Sequence, residues 1–499
     1  MSTSRGLIKS MLIIGSARAV NILISIVRMK LLALLVGPTG IGLLSIYNNI
    51  QAMGSQVAGL GMGSSGVREI ASASGEKMVL SRVRKVLFAA HLAQGLLAMF
   101  AVWLFRDKIS VWLFGNQENS TEVGLIGIAI LFSLLSAAQT ALLQGSRRIA
   151  DLGRVTIVGA LVATFAGLLA VYMLGEAGLI WFLLVQPLAA LFVARYFTSQ
   201  LPKPNFNKLS IVEIWDIWKP MARLGFGFML GGLATSCTLL IVRSRITDEL
   251  GLDAAGHFAA AWGVSMTYVG FMLSAMGADY YPRLSEIIEN KVEAIRLVND
   301  QAQLTLAIGG PIMIFIIGFA QSLIGLLYSS EFDEASNLLQ WQTVGNIFKL
   351  IGWPLGFIII AQGRSKTFMF LQLNWNIIFL FVLWPTLDIL GIVAAGPAFA
   401  VACVVQLVVV TCIVRFSFGF HFQRLSVLLL GMHVSLAATL FALALSFPIF
   451  STIISPFLAL ATGIFGVRVV LLKIGPEGKI ASRLARLFSL IGWPIRSNT

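Results

Sequence analysis

The sequence is poor in charge and in cysteine. Only 12% of its 499 residues are charged, 58% are hydrophobic, and three are cysteines. Charged residues make up about a quarter of an average soluble domain, so this composition excludes a soluble globular protein. Cys237, Cys403 and Cys412 lie in apolar segments without metal or redox spacing, which predicts packed thiols and no disulfide framework. The chain is therefore predicted to be a polytopic membrane protein.

Signatures of catalysis and of cofactor binding are also missing. The glycine-rich run at 59–63 lacks the Lys-Ser/Thr ending of a phosphate-binding loop. His91 and His257 have no second metal-type residue at ligand spacing, so we expect no metal site. Connections between the apolar segments are short, which leaves no extramembrane domain for soluble chemistry. We therefore expect neither an enzyme nor a cofactor, and transport would be secondary or driven by the substrate gradient.

What the sequence contains instead is a series of long apolar segments. A helix needs about 20 apolar residues to cross about 30 Å of hydrocarbon, and windows of that length predict about fourteen transmembrane helices. They lie at roughly 11–36, 41–64, 86–105, 124–144, 155–174, 178–197, 224–246, 255–281, 304–327, 336–362, 367–387, 391–414, 428–448 and 452–472.

Basic residues orient these predicted spans. The chain has 36 Lys and Arg against 22 Asp and Glu. With the N-terminus in the cytoplasm, about 28 basic residues fall on the cytoplasmic side, about 2 outside and about 6 within spans, as the positive-inside rule requires. Topology thus explains the basic excess without nucleic acid as a partner. Both termini are predicted to be cytoplasmic.

An internal repeat divides the apolar segments into two halves. The matched features are Ile26-Val27-Arg28-Met29-Lys30 with Ile241-Val242-Arg243-Ser244-Arg245, Gly40 with Gly256, Arg68 with Arg283, and Gln144-Gly145 with Gln362-Gly363. Their nearly constant offset of about 215 residues is the mark of a duplicated unit. Transporters are built this way, with the substrate near the bilayer midplane between two lobes.

The repeat predicts the fold class and the domains. We expect an all-α polytopic membrane protein with two pseudo-symmetric six-helix lobes and an extra C-terminal helix pair. The predicted domains are an N-terminal lobe at 1–200, a cytoplasmic linker at 201–222, a C-terminal lobe at 223–418, the extra pair at 426–474 and an amphipathic cytoplasmic tail at 475–499.

The interior of the predicted spans is cationic. The basic residues within spans are Arg18, Arg28, Lys30, Arg243, Arg245 and Lys349. Charges at membrane depth usually face a bundle interior or a water-filled cavity, so all six are predicted to bind substrate. For Lys30, Arg243 and Arg245, which lie near exterior span ends, snorkelling to lipid headgroups is an equally good explanation.

Uncharged polar residues and one acid complete the candidate site. Gln342, Asn346 and Lys349 are spaced i, i+4 and i+7, which places them on one helix face. Gln342 and Asn346, together with Asn48, are candidate contacts for the hydroxyls of a glycan. Asp279 precedes Arg283 by four residues, so these two either form a local ion pair or act in gating or ion coupling.

Three sequence blocks resemble a known family. They are Gly37-Pro38-Thr39-Gly40-Ile41-Gly42, Tyr281-Pro282-Arg283-Leu284-Ser285, and Phe332 followed by Leu339-Gln340-Trp341-Gln342, Val344-Gly345 and Lys349. Over roughly residues 10–415 the chain resembles the Wzx-type lipid-linked oligosaccharide flippases. These are the O-antigen and enterobacterial common antigen translocases of the multidrug/oligosaccharidyl-lipid/polysaccharide exporter superfamily.

The resemblance implies a function and its residues. It implies a V-shaped pair of lobes with a cationic lumen that moves an undecaprenyl-pyrophosphate-linked oligosaccharide to the periplasmic leaflet of the bacterial inner membrane, for surface polysaccharide assembly. It places the lumen lysine of the family at Lys349 and its basic first-span positions at Arg28 and Lys30. The partners expected are the lipid-linked oligosaccharide, membrane lipids, and a polysaccharide polymerase with a chain-length regulator. We expect a monomer.

Alternative functions stay open. Those flippases usually stop at twelve spans, and the extra helix pair is similar to the lipid II flippases of the same superfamily, so a peptidoglycan-precursor flippase is one alternative. A multidrug cation antiporter is another, but it would need acids at the midplane where this chain has cations. A membrane glycosyltransferase would need catalytic carboxylates or a large exterior loop, and the sequence has neither.

Overall fold

The computed structural model describes residues 2–73, 76–201, 210–474 and 479–490. Within these ranges the chain forms helices and no strand. The helices are α1 (Ser2–Gly59), α2 (Met62–Ser72), α3 (Lys77–Phe114), α4 (Ser120–Gly145), α5 (Ile149–Leu174), α6 (Gly178–Ser199), α7 (Ile211–Ile287), α8 (Lys291–Leu327), α9 (Glu334–Ala361), α10 (Ser365–Leu390), α11 (Ala395–Phe418), α12 (Arg424–Ser446), α13 (Pro448–Ile474) and α14 (Lys479–Leu490).

Length and hydropathy make most of these helices candidate membrane spans. Hydrocarbon offers no hydrogen-bond partners, so a crossing segment must satisfy its backbone internally, which a helix does. Among the described residues, nine segments are long and apolar enough to cross a membrane. Ala19–Gly59, Ile149–Ser199 and Lys366–Phe418 have 41, 51 and 53 residues, well beyond the ~20 residues of one crossing. The predicted all-helical polytopic membrane protein is confirmed, and the number of about fourteen spans stays a prediction.

The long helices break at matching places. α1 bends at Gly37 (φ 59°, ψ −167°) and α7 bends at Gly251 (φ 86°, ψ 172°), 214 positions later. Gly175 (φ 60°, ψ −134°) and Gly391 (φ 58°, ψ −150°) are 216 positions apart, and each opens a short 3-10 turn. Side chains other than hydrogen are strained at such positive φ values. The same backbone bends therefore recur at nearly the offset of the sequence repeat.

A third pair of turns corrects the register of the repeat. Arg147 (φ 55°) and Gly363 (φ 69°) both lie in left-handed conformation. The Arg147 N–H donates to the Gln144 carbonyl at 3.0 Å, and the Gly363 N–H donates to the Ile360 carbonyl at 2.9 Å. Gln144 is thus equivalent to Ile360. The alignment of Gln144 with Gln362, which rested on residue identity alone, is displaced by two residues.

The helices pack as two compact units. The first is Met1–Gly256 with Leu327–Glu331, and the second is His257–Leu326 with Phe332–Thr499. The first unit includes the part of α7 that precedes His257. The predicted lobe boundaries at 1–200 and 223–418 follow the sequence repeat rather than packing, and they stay a prediction.

In the first unit, α7 packs against α1 and α2 through backbone contacts. Gly61, which has a left-handed φ of 64°, lies directly against the backbone of Gly225 in α7. Near the other end of this helix pair, Gly256 lies against the carbonyl of Pro38. A Cβ atom at Gly61 or Gly256 would overlap backbone atoms of its neighbour. Glycine at these positions therefore permits a helix–helix distance that no other residue allows.

In the second unit, the extra pair α12 and α13 is packed closely onto α8. The imidazole of His433 in α12 lies against Gly310 of α8, and Ser455 of α13 lies against Gly318 of α8. Near the C-terminal end of α13, Lys473 forms an ion pair with Asp300 of α8. These contacts involve both helices of the pair. The extra helices are therefore an integral part of the second unit.

The C-terminal tail is helical where it is described. α14 spans Lys479–Leu490, and the remaining tail residues, 475–478 and 491–499, lie outside the described residues. Phe488 is buried, whereas Leu487 and Leu490 are exposed. Arg483 and Arg486 are also exposed. This pattern fits the predicted amphipathic helix.

Candidate functional site

Arg28 lies in α1 with its charge directed at an aromatic ring. Its side chain is half-buried, and Nη2 is 3.5 Å from the Ser25 hydroxyl one turn earlier. The guanidinium carbon lies 5.8 Å from the ring centre of Phe182 in α6, within the range of a cation–π contact. The Nε atom is buried and has no hydrogen-bond partner among the described residues. Arg28 is thus held by Ser25 and an aromatic face and is not paired with a described carboxylate.

The other first-span cations are less well defined. The side chain of Arg18 lies outside the described residues. Lys30 is half-buried and interacts with a neighbouring group. The part of the chain that the structure describes therefore selects Arg28 as the best-defined cation of this span, and the substrate roles of Arg18 and Lys30 stay predictions.

The two cations that repeat the first-span pattern have protein partners. The Nη1 atom of Arg243 donates to the Ser45 carbonyl at 3.1 Å, and the side-chain oxygen of Asn49, once its amide is turned, accepts from the same nitrogen at 3.2 Å. Arg245 forms an ion pair with Glu249 one turn later. Arg243 thus ties α7 to α1 inside the first unit. For both residues a substrate role stays a prediction.

Lys349 lies in α9 on the predicted polar stripe, which we define as Gln342, Asn346 and Lys349. The residue is half-buried, and its ammonium nitrogen lies 3.8 Å from the thioether sulfur of Met266 in α7. A thioether is a weak acceptor, and no described carboxylate forms an ion pair with Lys349. Its positive charge is therefore not neutralised by the described neighbours.

The polar stripe also carries hydrogen-bonding atoms without partners. Asn346 is fully buried and donates to the Ser265 hydroxyl at 2.7 Å, but its Oδ1 atom has no partner among the described residues. Gln342 is fully buried, and neither atom of its amide has one. Buried polar groups in native structures are nearly always satisfied. The polar stripe therefore has hydrogen-bonding capacity that its described neighbours do not use.

An aromatic cluster lies beside the polar stripe. Its members in α7, α10 and α11 are Phe258, Trp262, Trp375, Phe379 and Phe399, with ring centres 5.3–6.5 Å apart. Gly345 in the polar helix α9 packs on this cluster, because a Cβ atom there would lie 2.7 Å from the Phe399 ring. Sequence analysis missed the cluster. Its signal was the spacing of Trp262 three residues before Ser265 and four before Met266, on the face that meets α9.

The remaining predicted site residues have no described contact with the polar stripe or the aromatic cluster. Asn48 is exposed and donates to the Leu44 carbonyl of its own helix at 2.9 Å. The side chain of Asp279 lies outside the described residues, and Arg283 is exposed and has an interaction of its own. A gating or coupling pair of Asp279 and Arg283 stays a prediction. Among the described residues no group of three or more potential metal ligands occurs.

Comparison with known proteins relates this chain to polysaccharide biosynthesis. Residues 31–337 match a family described as polysaccharide biosynthesis protein. The lipid III flippase of Escherichia coli (strain K12) is 24% identical over 363 residues, which are 71% of this chain and 85% of that protein. The lipid III flippase of Shigella flexneri matches to the same extent. The expected relationship to oligosaccharide flippases is confirmed, and these relatives are transporters rather than enzymes.

Solved structures share the fold. An inward-facing multidrug resistance MATE family transporter of the MOP superfamily has a TM-score of 0.65 at 15% identity, over 80% of this chain and 94% of that one. The lipid II flippase MurJ, in an inward closed conformation, has a TM-score of 0.63 at 13% identity, over 93% of this chain and 100% of that one. The family match covers more than half of the chain, and this multi-pass membrane protein therefore belongs to the polysaccharide biosynthesis protein family, with the fold of MOP-superfamily transporters.

Proposed function

We propose that this protein flips an anionic undecaprenyl-pyrophosphate-linked oligosaccharide from the cytoplasmic to the periplasmic leaflet of the bacterial inner membrane. The observation that carries the proposal is the environment of Lys349, whose charge meets a thioether instead of a described carboxylate. A cation within the membrane is energetically costly, so an intramembrane lysine usually has a function. Charge-assisted hydrogen bonds to a pyrophosphate are about twice as strong as neutral ones, so such a ligand suits this site.

The proposed transport cycle uses two pseudo-symmetric lobes. The bends at Gly37 and Gly251, and those at Gly175 and Gly391, support a duplicated six-helix lobe. About fourteen spans, counting the extra pair, and cytoplasmic termini are proposed from hydropathy and from the distribution of basic residues. Alternating opening of the lobes would expose Arg28 and Lys349 to each side in turn. The polyprenyl tail would remain in lipid.

The direction of transport follows from the charge of the substrate. With the cytoplasm negative, moving one negative charge outward is favoured by about 2.3 kcal/mol per 100 mV. A pyrophosphate carries more than one charge, so the membrane potential itself can drive export. A lipid II-type precursor flippase is the second candidate, supported by the structural match to the lipid II flippase MurJ, which covers 93% of this chain against 80% for the MATE transporter. A polysaccharide polymerase and a chain-length regulator are the proposed partners of a monomeric flippase.

Charge reversal tests the proposed function. The double variant Lys349→Glu with Arg28→Glu, produced in a strain that lacks its own oligosaccharide flippase, is expected to abolish surface polysaccharide, because two carboxylates repel a pyrophosphate. Lys349→Arg keeps the charge and is expected to retain part of the activity. The measurement is surface polysaccharide on gels, normalised to the amount of protein inserted in the membrane.

The matched control is Lys219→Glu. Lys219 is an exposed cation near the start of α7, so its reversal changes the net charge as much as either single reversal does, without touching the polar stripe. Normal surface polysaccharide in the double variant, with the protein inserted, would show that the cationic site is not used.

A further inference from the structure

Two tryptophans of the aromatic cluster are placed to contact a ligand. Phe379 and Phe399 are fully buried, whereas Trp262 and Trp375 are only half-buried. Trp262 stacks on Phe379 with ring centres 6.5 Å apart and an angle of 15° between the rings, and it meets Phe399 edge-on at 5.7 Å. The buried phenylalanines therefore fix the two indole rings from behind. The partly exposed indoles form a rigid aromatic surface.

This aromatic surface adjoins the cation of the polar stripe. Gly345, which lies one helical turn before Lys349 in α9, packs on the ring of Phe399. That ring contacts Trp262 at 5.7 Å and Trp375 at 5.8 Å. Trp262 lies one helical turn before Met266, whose sulfur contacts Lys349. The two indoles and the ammonium group thus belong to one locality of the second unit, built from α7, α9, α10 and α11.

Two amide side chains of the polar stripe add unused hydrogen-bond donors and acceptors to this locality. Both amide atoms of Gln342 and the Oδ1 atom of Asn346 lack partners among the described residues, although both side chains are fully buried. Leaving buried polar atoms unsatisfied is costly. A ligand that brings donors and acceptors together with an apolar face would remove that cost.

We propose that Trp262 and Trp375 form a stacking platform for the sugar ring attached to the pyrophosphate, with Lys349 on the phosphate and Gln342 on the sugar hydroxyls. This inference rests on the proposed function and specifies which part of the substrate each side chain recognises. A pyranose has an apolar face of C–H groups, which packs on an aromatic ring, and a rim of hydroxyls that are both donors and acceptors. The platform makes the site selective for a glycosylated lipid pyrophosphate over the bare carrier.

The test compares two soluble short-chain probes on the full-length protein in detergent. One is farnesyl pyrophosphate, and the other is a farnesyl-pyrophosphoryl hexose. Wild-type protein is expected to bind the sugar-bearing probe more tightly. Trp262→Ala and Trp375→Ala are each expected to weaken binding of the sugar-bearing probe about five- to tenfold, which is the range of an aromatic contact. Their affinity for farnesyl pyrophosphate should change less than about twofold. Trp262→Phe should recover most of the affinity, and Gln342→Leu should lose affinity for the sugar-bearing probe only.

Trp341→Ala is the matched control. Trp341 is adjacent to Gln342 in sequence, but its ring packs on Phe441 of α12 at 4.7 Å, so its loss should leave the preference between the two probes unchanged. Equal weakening of both probes by the Trp262 and Trp375 variants, or equal binding of the two probes by wild-type protein, would overturn the platform and leave the flippase proposal intact. If wild-type protein binds neither probe, the proposed function fails together with the platform.

Discussion

At the scale of single residues, the closest packing occurs where a glycine touches the backbone of another helix. Gly256 lies against the backbone of Pro38, and a backbone cannot move aside as a side chain can. Pro38 follows the bend at Gly37, so the contact joins the bend of α1 to the region just after the bend of α7. One methyl group at this position would push the two helices apart.

Gly256→Ala is therefore expected to destabilise the protein. Overpacking of this kind typically costs about 1–3 kcal/mol, which should lower the apparent Tm by roughly several degrees. The measurement is the thermal loss of the monodisperse peak in fluorescence-detected size-exclusion chromatography. Gly270→Ala is the control, because nothing lies within 4 Å of a Cβ atom at that α7 position; an equal loss in both variants would point to helix flexibility instead of close packing.

At the scale of elements, the start of α7 is fixed by a reciprocal cap. The Ser210 N–H donates to Glu213 Oε2 at 2.8 Å, and the Glu213 N–H donates to the Ser210 hydroxyl at 3.2 Å. This is a capping box, which satisfies two backbone donors at a helix terminus. Arg82 of α3 adds an ion pair to Glu213 at 3.2 Å. The cap defines where the helix begins after the predicted linker.

The cap should make the stability of the first turn of α7 depend on pH. Hydrogen bonds from the Ser210 backbone N–H and then from its hydroxyl, followed by the charge of Arg82, hold the pKa of Glu213 below its ordinary value. A carboxyl with a depressed pKa stabilises the folded state above its unfolded pKa, and this contribution is lost as the pH falls through the folded pKa. Hydrogen–deuterium exchange protection of residues 211–216, corrected for intrinsic rates, should therefore decrease between pH 7 and pH 3.

Ser210→Ala removes the cap without changing charge. We expect it to lower the same protection already at pH 7, since an N-cap is worth about 1 kcal/mol. Ser285→Ala is the control, because Ser285 donates only to the Tyr281 carbonyl within its own helix. Unchanged protection in Ser210→Ala would mean that α7 is held by its packing alone.

The aromatic cluster shows how far an element's sequence predicts its site. The i, i+4, i+7 spacing of the polar stripe correctly places Gln342, Asn346 and Lys349 on one face of α9, and the Lys349–Met266 and Asn346–Ser265 contacts confirm that α7 is its neighbour. The cluster itself comes from three helices that are distant in sequence. Periodicity describes one helix at a time and cannot say which helices meet.

At the scale of the whole molecule, the extra helix pair contributes to stability. Asn299 of α8 accepts hydrogen bonds from the Gln423 N–H at 2.8 Å and the Ser426 hydroxyl at 2.9 Å, so α8 caps the start of α12. In the same unit, the Gln303 amide donates to Ser426 at 3.0 Å. Removal of α12 would leave these buried groups without partners, which is costly in an apolar environment.

Two truncations test the extra helix pair and the C-terminal tail separately. A chain that ends at residue 423 lacks α12, α13 and α14, and we expect it to be inserted poorly and degraded, because the glycine-lined surface of α8 becomes exposed. A chain that ends at residue 478 lacks only α14 and the residues after it, and it should accumulate at near wild-type levels. Membrane-fraction immunoblots measure both. Normal accumulation of the shorter chain would show that the pair is dispensable for folding.

The sequence alone determined the class of this protein, since hydropathy and the requirement for internal backbone hydrogen bonds leave no alternative to transmembrane helices. It also determined the cationic spans and the existence of a repeat, because charge and residue spacing are local properties. Only the tertiary structure decided which cations have partners, such as Arg243 with Ser45 and Arg245 with Glu249, and which one meets only a thioether. A charge acquires its role from neighbours that lie far away in the chain, and packing brings those neighbours together.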